Sequence, residues 1–196
     1  MFSAGANLLK IHKLYKPDAI PPIWQISKVT ITSSQDWVNW TKLRTEKYLK
    51  FCADNLTPDI CKIITKSFQF LNAELSASAP VIMPLHWDYH LGNLLYNKNT
   101  EVFATLDFAT AMPGDPLADL GQALYWQIIK FGNRDHFSDL LLGYAANFSS
   151  KEFQLIEAYY LLHLIAVLRN TWHLEKLKWL TDKHLGMLNN YHFFKG

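Results

Sequence analysis

The segment HWDYHLGN, residues 86–93, holds four side chains that could do chemistry within eight positions. His86 and His90 could bind a metal or carry a proton, and Asp88 could accept a proton or bind a cation. Asn93 offers an amide oxygen just before the apolar run LLY. The segment could therefore be a set of metal ligands, a catalytic loop or an ordinary polar turn.

A zinc pair formed by His86 and His90 would need a helix that presents both rings on one face. Pro84 and Gly92 disfavour such a helix. The pattern His-x-Asp-x-x-x-x-Asn, followed by an Asp beyond a short hairpin, is instead typical of kinase catalytic loops. In this sequence the later carboxylate is Asp107, within LDFATA. A third motif, GDPLADLG (114–121), follows these two in the sequence.

The elements around these motifs are mainly helical. Apolar residues at spacings of three and four predict helices over 2–14, 36–52 and from Pro58 onward, with Ser34 and Thr57 as N-caps. The segment 16–24 is predicted to break the helical pattern, because it has three prolines in six positions. After the motifs, further helices are predicted over 117–131, 135–148, 151–170 and a last segment up to residue 193.

The middle of the chain carries the only β-prone runs. NLLYN and EVFATLDF are separated by a short polar stretch at 98–100, which predicts a hairpin over residues 93–108. AMPGDP (111–116) predicts a turn. The expected fold is mainly α with a small β hairpin. We expect a single domain over 1–196, with the catalytic loop at 86–93 and a helical remainder at 117–195.

Bulk composition excludes several classes of protein. The 196 residues are 49% hydrophobic and 14% aromatic, which is typical of a globular domain. The net charge of +2 gives no reason to expect nucleic acid or an anionic membrane as partner. No apolar run is long enough to span a bilayer. The two cysteines, Cys52 and Cys61, form neither a zinc motif nor a disulfide framework, so we expect a cytoplasmic protein.

Together, HWDYHLGN, LDFATA and GDPLADLG resemble the aminoglycoside phosphotransferase and choline kinase group of small-molecule kinases. LLKIHKL (8–14) is also similar to the helix that opens the larger lobe in that group. The resemblance implies the C-terminal lobe of the protein kinase-like fold. It also implies transfer of the γ-phosphate of ATP to a small-molecule hydroxyl, with Mg²⁺ as cofactor.

The resemblance assigns a role to each motif residue. Asp88 would be the catalytic base, and Asn93 and Asp107 would bind magnesium, which prefers oxygen ligands. His86 and Asp119 would hold the loop in position. His90 is a candidate contact for phosphate or substrate, although an exposed loop histidine without a catalytic role is an equal alternative. The residues that bind the nucleotide are unknown.

The sequence departs from the family pattern in two ways. Trp87 stands where the family has glycine, so its ring needs a pocket of its own. The N-terminal β-rich lobe, with its glycine-rich loop and strand-borne lysine, has no counterpart before the catalytic loop and is expected to be absent. That lobe or another chain could cover the exposed face, and this chain alone could lack activity.

Three functions stay open from the sequence. The first is a small-molecule kinase, the second a non-catalytic kinase-like binding module, and the third a metal-dependent hydrolase that uses residues 86, 88 and 90. The acceptor is not identified. Glu157, Glu175 and Asp182 on the C-terminal helices could bind a cationic acceptor, or could belong to solvated helix faces.

Overall fold

The computed structural model describes residues 1–14, 31–99 and 101–189. Its helices in this part of the chain are α1 (Phe2–His12), α2 (Ser34–Asn55), α3 (Pro58–Ala77), α4 (Pro116–Phe131), α5 (Phe137–Tyr144), α6 (Ser150–Thr171) and α7 (Lys178–Asn189). The predicted breaker segment at 16–24, position 100 of the hairpin loop and the predicted helix end beyond 189 lie outside the described residues. The mainly helical prediction is confirmed.

Four short strands form two antiparallel pairs, which are β1 (Met83–Leu85), β2 (Leu94–Tyr96), β3 (Val102–Thr105) and β4 (Met112–Gly114). The predicted hairpin is the β2–β3 pair, with Leu94 opposite Thr105. The prediction of a simple turn over 111–116 was wrong for its first half. Residues 112–114 pair with β1 as β4, and Pro84 lies opposite Pro113. Both strands are edge strands, so two residues without an N–H group are tolerated there.

Capping at the start of α2 differs from the prediction by one residue. Ser33, not Ser34, is the N-cap, and its side chain accepts a hydrogen bond from the backbone N–H of Asp36. Asp36 in turn accepts bonds from the N–H and hydroxyl of Ser33. The reciprocal pair needs an acidic or amide side chain three residues after the cap, and Asp36 meets that condition for Ser33.

Two close helix crossings position the site. Helix α4 packs on α6 at Gly121, where an added Cβ would lie 2.6 Å from the Cβ of Tyr159. Helix α1 packs on α5 at Gly5, where an added Cβ would lie 1.9 Å from the carbonyl oxygen of Leu140. Only glycine permits these contacts without a shift of the backbone. The core between the helices is aromatic, with Trp37 and Tyr125 buried. Helix α4 therefore has a fixed position behind residues 86–93.

Candidate active site

Helix α4 holds the backbone of the 86–89 segment. The carboxylate of Asp119 accepts hydrogen bonds from the backbone N–H groups of His86, at 2.7 Å, and Trp87, at 2.9 Å. One turn further along, the amide of Gln122 accepts from the N–H of Tyr89 at 3.2 Å and donates to the carbonyl of Trp87 at 2.7 Å. These four bonds bracket residue 88 on both sides, so its backbone position is determined by one helix.

Asp119 is itself buried and oriented from helix α1. The Nε2 atom of His12 lies 3.1 Å from the same Asp119 oxygen that accepts from His86. The other ring nitrogen of His12 lies 2.8 Å from the hydroxyl of Tyr144 on α5. A buried carboxylate with several donors keeps a single orientation. Asp119 thus connects α1, α4 and the loop.

His86 links the loop to the end of the β2–β3 hairpin. Its Nε2 atom lies 2.8 Å from the carbonyl oxygen of Leu106, and its Nδ1 accepts a hydrogen bond from the backbone N–H of Asp88 at 3.2 Å. A carbonyl can only accept and an N–H can only donate, so Nε2 carries the proton. Both nitrogens are occupied, and the HxxxH pair with His90 therefore cannot present two free nitrogens to zinc.

The carboxylate of Asp88 is only partly buried, and both of its oxygens have neighbours. Oδ1 accepts a hydrogen bond from the indole N–H of Trp126 at 3.1 Å. Oδ2 lies 3.4 Å from the side-chain nitrogen of Asn93 and 3.6 Å from Nε2 of His90. The side chain is 29% exposed. A carboxylate that is oriented in this way and still reaches solvent can meet an incoming hydroxyl group.

A backbone hydrogen bond of Leu106 holds the segment that contains Asp107 beside Asn93. The N–H of Leu106 donates to the carbonyl of Asn93 at 2.8 Å, and Asp107 is the next residue. The side-chain nitrogen of Asn93 donates to the carbonyl of Asp88 at 3.0 Å, which leaves the amide oxygen for another partner. Among the described residues, the exposed carboxylate of Asp107 accepts one hydrogen bond, from the N–H of Ala109 at 3.3 Å.

The donor set fits magnesium better than zinc. Mg²⁺ uses one or two protein oxygens and keeps water or phosphate oxygens in its remaining positions. An amide oxygen from Asn93 and a carboxylate from Asp107 match that need. In the described part of the chain, no group of three or more His, Cys, Asp or Glu side chains could hold a metal by itself.

Two residues of the site have left-handed backbone conformations, Trp87 with φ 59° and Asp107 with φ 58°. Such conformations favour glycine and cost other residues about 1 kcal/mol. At position 87 this explains the need for glycine in the motif. The indole of Trp87 offsets the cost by packing edge-on against Trp37 and Trp40, with ring centroids 6.0 and 5.6 Å away.

The start of α4 is fixed by a buried acid. Asp115 is the N-cap, accepting from the N–H of Leu117 at 2.9 Å and from the hydroxyl of Tyr159 at 2.9 Å. That hydroxyl accepts in turn from the indole of Trp37. Burial raises the pKa of Asp115 to about 6, because the charged form is poorly solvated there. This series of hydrogen bonds connects the start of α4, and therefore Asp119, to helices α2 and α6.

Two of the residues that contact the loop were missed from the sequence, Gln122 and Trp126. They follow Asp119 by three and seven positions, and so lie on the same face of α4. The sequence shows that spacing, but a tryptophan at an apolar position of a helix predicts a core residue and not a polar contact. Their polar contacts depend on the docking of the loop, which the spacing does not show.

Two cavities adjoin the loop. One of 270 Å³ lies between α1, the 89–92 segment, the second half of α4 and α5, and is lined by His90, Trp126 and Gln127 among others. The other, of 170 Å³, lies between α2, α4 and α6 beside Trp87 and Gln122. Both are close enough to the loop to hold part of a substrate.

The candidate acidic acceptor residues do not line either cavity. Glu157 forms an ion pair with Arg134, which neutralises it. Glu175 lies in a short 3-10 turn before α7, and Asp182 is exposed on α7. The structure therefore does not bring these three carboxylates to the loop.

The hairpin beside the loop exposes apolar side chains. Leu95, Tyr96 and Leu106 are exposed by 40%, 38% and 44%. Exposed large apolar side chains beside a candidate site are typical of a contact region. Among the described residues, no helix is both long and apolar enough to cross a bilayer.

A family model described as "Phosphotransferase enzyme family" matches residues 1–146. A search of curated proteins finds no match. Among solved structures, the chain is similar to the GDP and kanamycin complex of APH(2")-IIia, with 17% identity and a TM-score of 0.66, covering 97% of this chain and 65% of that chain.

Two further solved structures have the same fold. A choline/ethanolamine kinase family protein from Mesorhizobium loti has 18% identity and a TM-score of 0.64, over 96% of this chain and 60% of that chain. A macrolide 2'-phosphotransferase type I has 14% identity and a TM-score of 0.62, over 94% of this chain and 57% of that chain. The chain thus spans less than two thirds of each of these structures. The prediction of a kinase-like fold is confirmed.

Proposed function

The chain belongs to the phosphotransferase enzyme family, and from this premise we propose that it moves the γ-phosphate of ATP to a hydroxyl group of a small molecule. The observation that carries the proposal is the geometry at Asp88. Its carboxylate is oriented by Trp126, lies beside the Asn93 amide and remains partly exposed. Phosphoryl transfer needs a carboxylate of this kind to orient the attacking hydroxyl.

In the proposed reaction the acceptor oxygen forms a bond to the γ-phosphorus. The bond between that phosphorus and the bridging oxygen breaks, and ADP leaves with its electron pair. The proton of the acceptor hydroxyl passes to Asp88. The enzyme forms no covalent bond, so the rate enhancement comes from positioning and from neutralisation of charge.

We propose Asn93 and Asp107 as the residues that would hold Mg²⁺, which would neutralise charge on the phosphates when bound. The hydrogen bond from the N–H of Leu106 to the carbonyl of Asn93 supports this assignment, because it holds the neighbour of Asp107 against Asn93. We assign His86 and Asp119 to positioning of the loop. His90, beside Asp88, is the candidate contact for a phosphate or substrate oxygen.

The remaining contacts to the nucleotide would come from a β-rich N-terminal lobe or from another chain. Such a partner would cover the exposed hairpin residues Leu95, Tyr96 and Leu106. Free thiols at Cys52 and Cys61 fit the cytoplasm as the compartment, where ATP and Mg²⁺ are abundant.

The exposed apolar residues of the hairpin also support a second candidate, a kinase-like binding module without catalysis. This module would use the hairpin face to bind a partner and would not turn over nucleotide. The two candidates differ in nucleotide binding. Calorimetry of the chain with Mg-ATP, at micromolar protein, separates them. Heat of binding supports the kinase, and a binding module that does not use nucleotide is expected to show no heat.

The test of the kinase proposal is transfer of labelled γ-phosphate. The chain, with a β-rich N-terminal lobe restored, is incubated with Mg²⁺, labelled ATP or GTP, and a panel of alcohols that includes kanamycin, choline and para-substituted benzyl alcohols. GTP is included because GDP is bound in a similar solved structure. We expect a phosphorylated alcohol with the unmodified chain and with Asp139→Asn, an exposed acid on α5 that serves as the control. Asp88→Asn should reduce transfer at least about a hundredfold. Equal transfer by Asp88→Asn would remove Asp88 from the role of base.

A further inference from the structure

The 270 Å³ cavity beside the loop has an apolar wall. Its apolar lining includes Leu91, Leu94, Ile129, Phe131 and Leu140. An apolar cavity of about 150 Å³ is enough to bind benzene. This one therefore has room for a substituted aromatic ring or a similar body, and its volume lies just below the range of about 300–1,000 Å³ of drug-sized ligand sites.

The cavity is connected to the proposed base by two side chains. Trp126 lines the cavity and donates its indole N–H to Asp88. His90 also lines it, its ring lies tilted against the Trp126 ring with centroids 4.8 Å apart, and its Nε2 is 3.6 Å from Asp88. A ligand body in the cavity therefore lies one side-chain layer from the carboxylate. Its hydroxyl group would need to extend only past this pair of rings.

The charge of the wall disfavours a cation. Among the described residues that line the cavity, none is Asp or Glu, and Lys130 carries a positive charge. The second cavity likewise has no carboxylate and contains Arg44. A cationic group moved into such a site loses its hydration and meets no counter-ion among the lining residues. The wall thus favours a neutral or anionic body.

One polar group in the wall has no partner. Gln127 is 2% exposed, and its side-chain nitrogen Nε2 makes no hydrogen bond among the described residues. The other polar side chain deep in the wall, the hydroxyl of Tyr89, already donates to the carbonyl of Ala4 and lies 3.0 Å from the Asn7 side chain. A buried donor without an acceptor is costly. Gln127 lines the cavity, so a turn of its side chain would bring Nε2 to an oxygen on a bound ligand.

We propose that the acceptor of the phosphate is an alcohol with an apolar body, an oxygen acceptor that reaches Gln127, and no cationic group. This inference rests on the proposed function and names its substrate class. It assigns Gln127 as a specificity-determining residue. It also separates this chain from the polycationic acceptor bound in the similar structure that contains kanamycin.

Three benzyl alcohols of one shape test the proposal. They carry an acetyl, an isopropyl or a 1-aminoethyl group at the para position, so that they differ only in an acceptor oxygen, a methyl group or an ammonium. Binding to the chain is measured by titration calorimetry without nucleotide, so that the readout does not depend on catalysis. We expect the acetyl compound to bind about fivefold more tightly than the isopropyl compound, because it pairs with Gln127. The ammonium compound should bind at least about tenfold more weakly than the isopropyl compound.

Gln127→Leu removes the donor and keeps a similar volume. We expect it to abolish the advantage of the acetyl compound over the isopropyl compound while the isopropyl compound still binds. Gln69→Leu, the same change at an exposed position of α3, is the matched control and should leave all three affinities unchanged. Near-ultraviolet circular dichroism confirms that both variants keep their packed core.

Each outcome of these titrations either supports or overturns the proposal. Tightest binding of the ammonium compound, an acetyl advantage that survives Gln127→Leu, or failure of all three compounds to bind at millimolar concentration would each overturn the proposal. Binding in the expected order without transfer of labelled phosphate to the acetyl compound would contradict the proposed function. The ligand class of the cavity would stand in that case.

Discussion

The indole N–H of Trp126 on helix α4 donates a hydrogen bond to Oδ1 of Asp88 at 3.1 Å. The same helix holds the backbone on both sides of Asp88 through Asp119 and Gln122. The orientation of the proposed base is therefore set mainly by one helix, whose own start is fixed by the buried N-cap Asp115.

Removal of the indole N–H tests this arrangement at the base. Trp126→Phe keeps most of the ring volume but leaves Asp88 without its donor. We expect phosphate transfer to slow about tenfold, because a hydrogen bond to a charged group contributes about 1.5 kcal/mol or more. The control is Trp179→Phe, whose ring is 63% exposed. Full activity of Trp126→Phe in the labelled-phosphate assay would show that Asp88 is positioned without the indole of Trp126.

Asp119 is expected to stabilise the whole fold. Asp119→Asn replaces one of two acceptor oxygens by a donor that faces backbone N–H groups of the loop. We expect a loss of about 2–4 kcal/mol in the free energy of unfolding, because buried donors are left without partners. Urea denaturation measures the loss against Asp139→Asn on the exposed face of α5. If both variants have the same midpoint, the link from α1 through Asp119 to the loop is not important for stability.

Trp87 has two opposing effects on stability. Trp87→Gly relieves about 1 kcal/mol of left-handed backbone strain but removes a half-buried indole that packs on Trp37 and Trp40. Lost apolar burial of about 2–3 kcal/mol should exceed the relief. We therefore expect a net destabilisation of about 1–2 kcal/mol in urea. A Trp87→Gly chain as stable as the unmodified one would mean that strain outweighs the packing of this ring.

Asp115 is expected to make stability fall as pH rises. Its folded-state pKa of about 6 lies above its ordinary value of 3.8, so the native state holds a proton that the unfolded state releases. The stabilisation is complete below about pH 4 and is lost as pH rises through about 6, a change of about 2–3 kcal/mol.

The contribution of Asp115 is read as a difference from Asp115→Asn, which keeps an N-cap acceptor. The difference is needed because burial lowers the pKa of His163 to about 3 and of His184 to about 4. These two histidines make the free energy of unfolding rise with pH, which is opposite to the effect of Asp115. We expect the variant to gain stability relative to the unmodified chain between pH 4 and pH 6–7 in urea titrations. A difference that stays constant over this range would contradict a protonated Asp115.

The spacing of the motifs predicts much of the local structure around the site. Asp88 and Asn93 are five positions apart, so a single tight loop brings them together, and the hairpin that follows returns Asp107 to the loop. Helical periodicity likewise predicts α4 within one residue of its observed start. These features depend on neighbours in the sequence, which a pattern can record.

The long-range contacts could not be predicted in this way. His12 and Asp119 are 107 positions apart, and their contact depends on how α1 packs beside α4. Strands β1 and β4 have three residues each, too few to show an alternating pattern. The free Nε2 of Gln127 and the cavity that it lines result from the packing of three helices and a loop, so no local pattern indicates them.

Manganese is a paramagnetic substitute for magnesium and tests the central claim most directly. The claim is that Asn93 and Asp107 hold one divalent cation beside Asp88. The measurement is Mn²⁺ titration of the isotope-labelled chain with ATP present, read by nuclear magnetic resonance. We expect the signals of Asn93, Leu106 and Asp107 to broaden first, and Asp107→Asn to abolish that broadening while Asp139→Asn leaves it unchanged. Broadening that begins elsewhere, or that survives Asp107→Asn, would contradict the account.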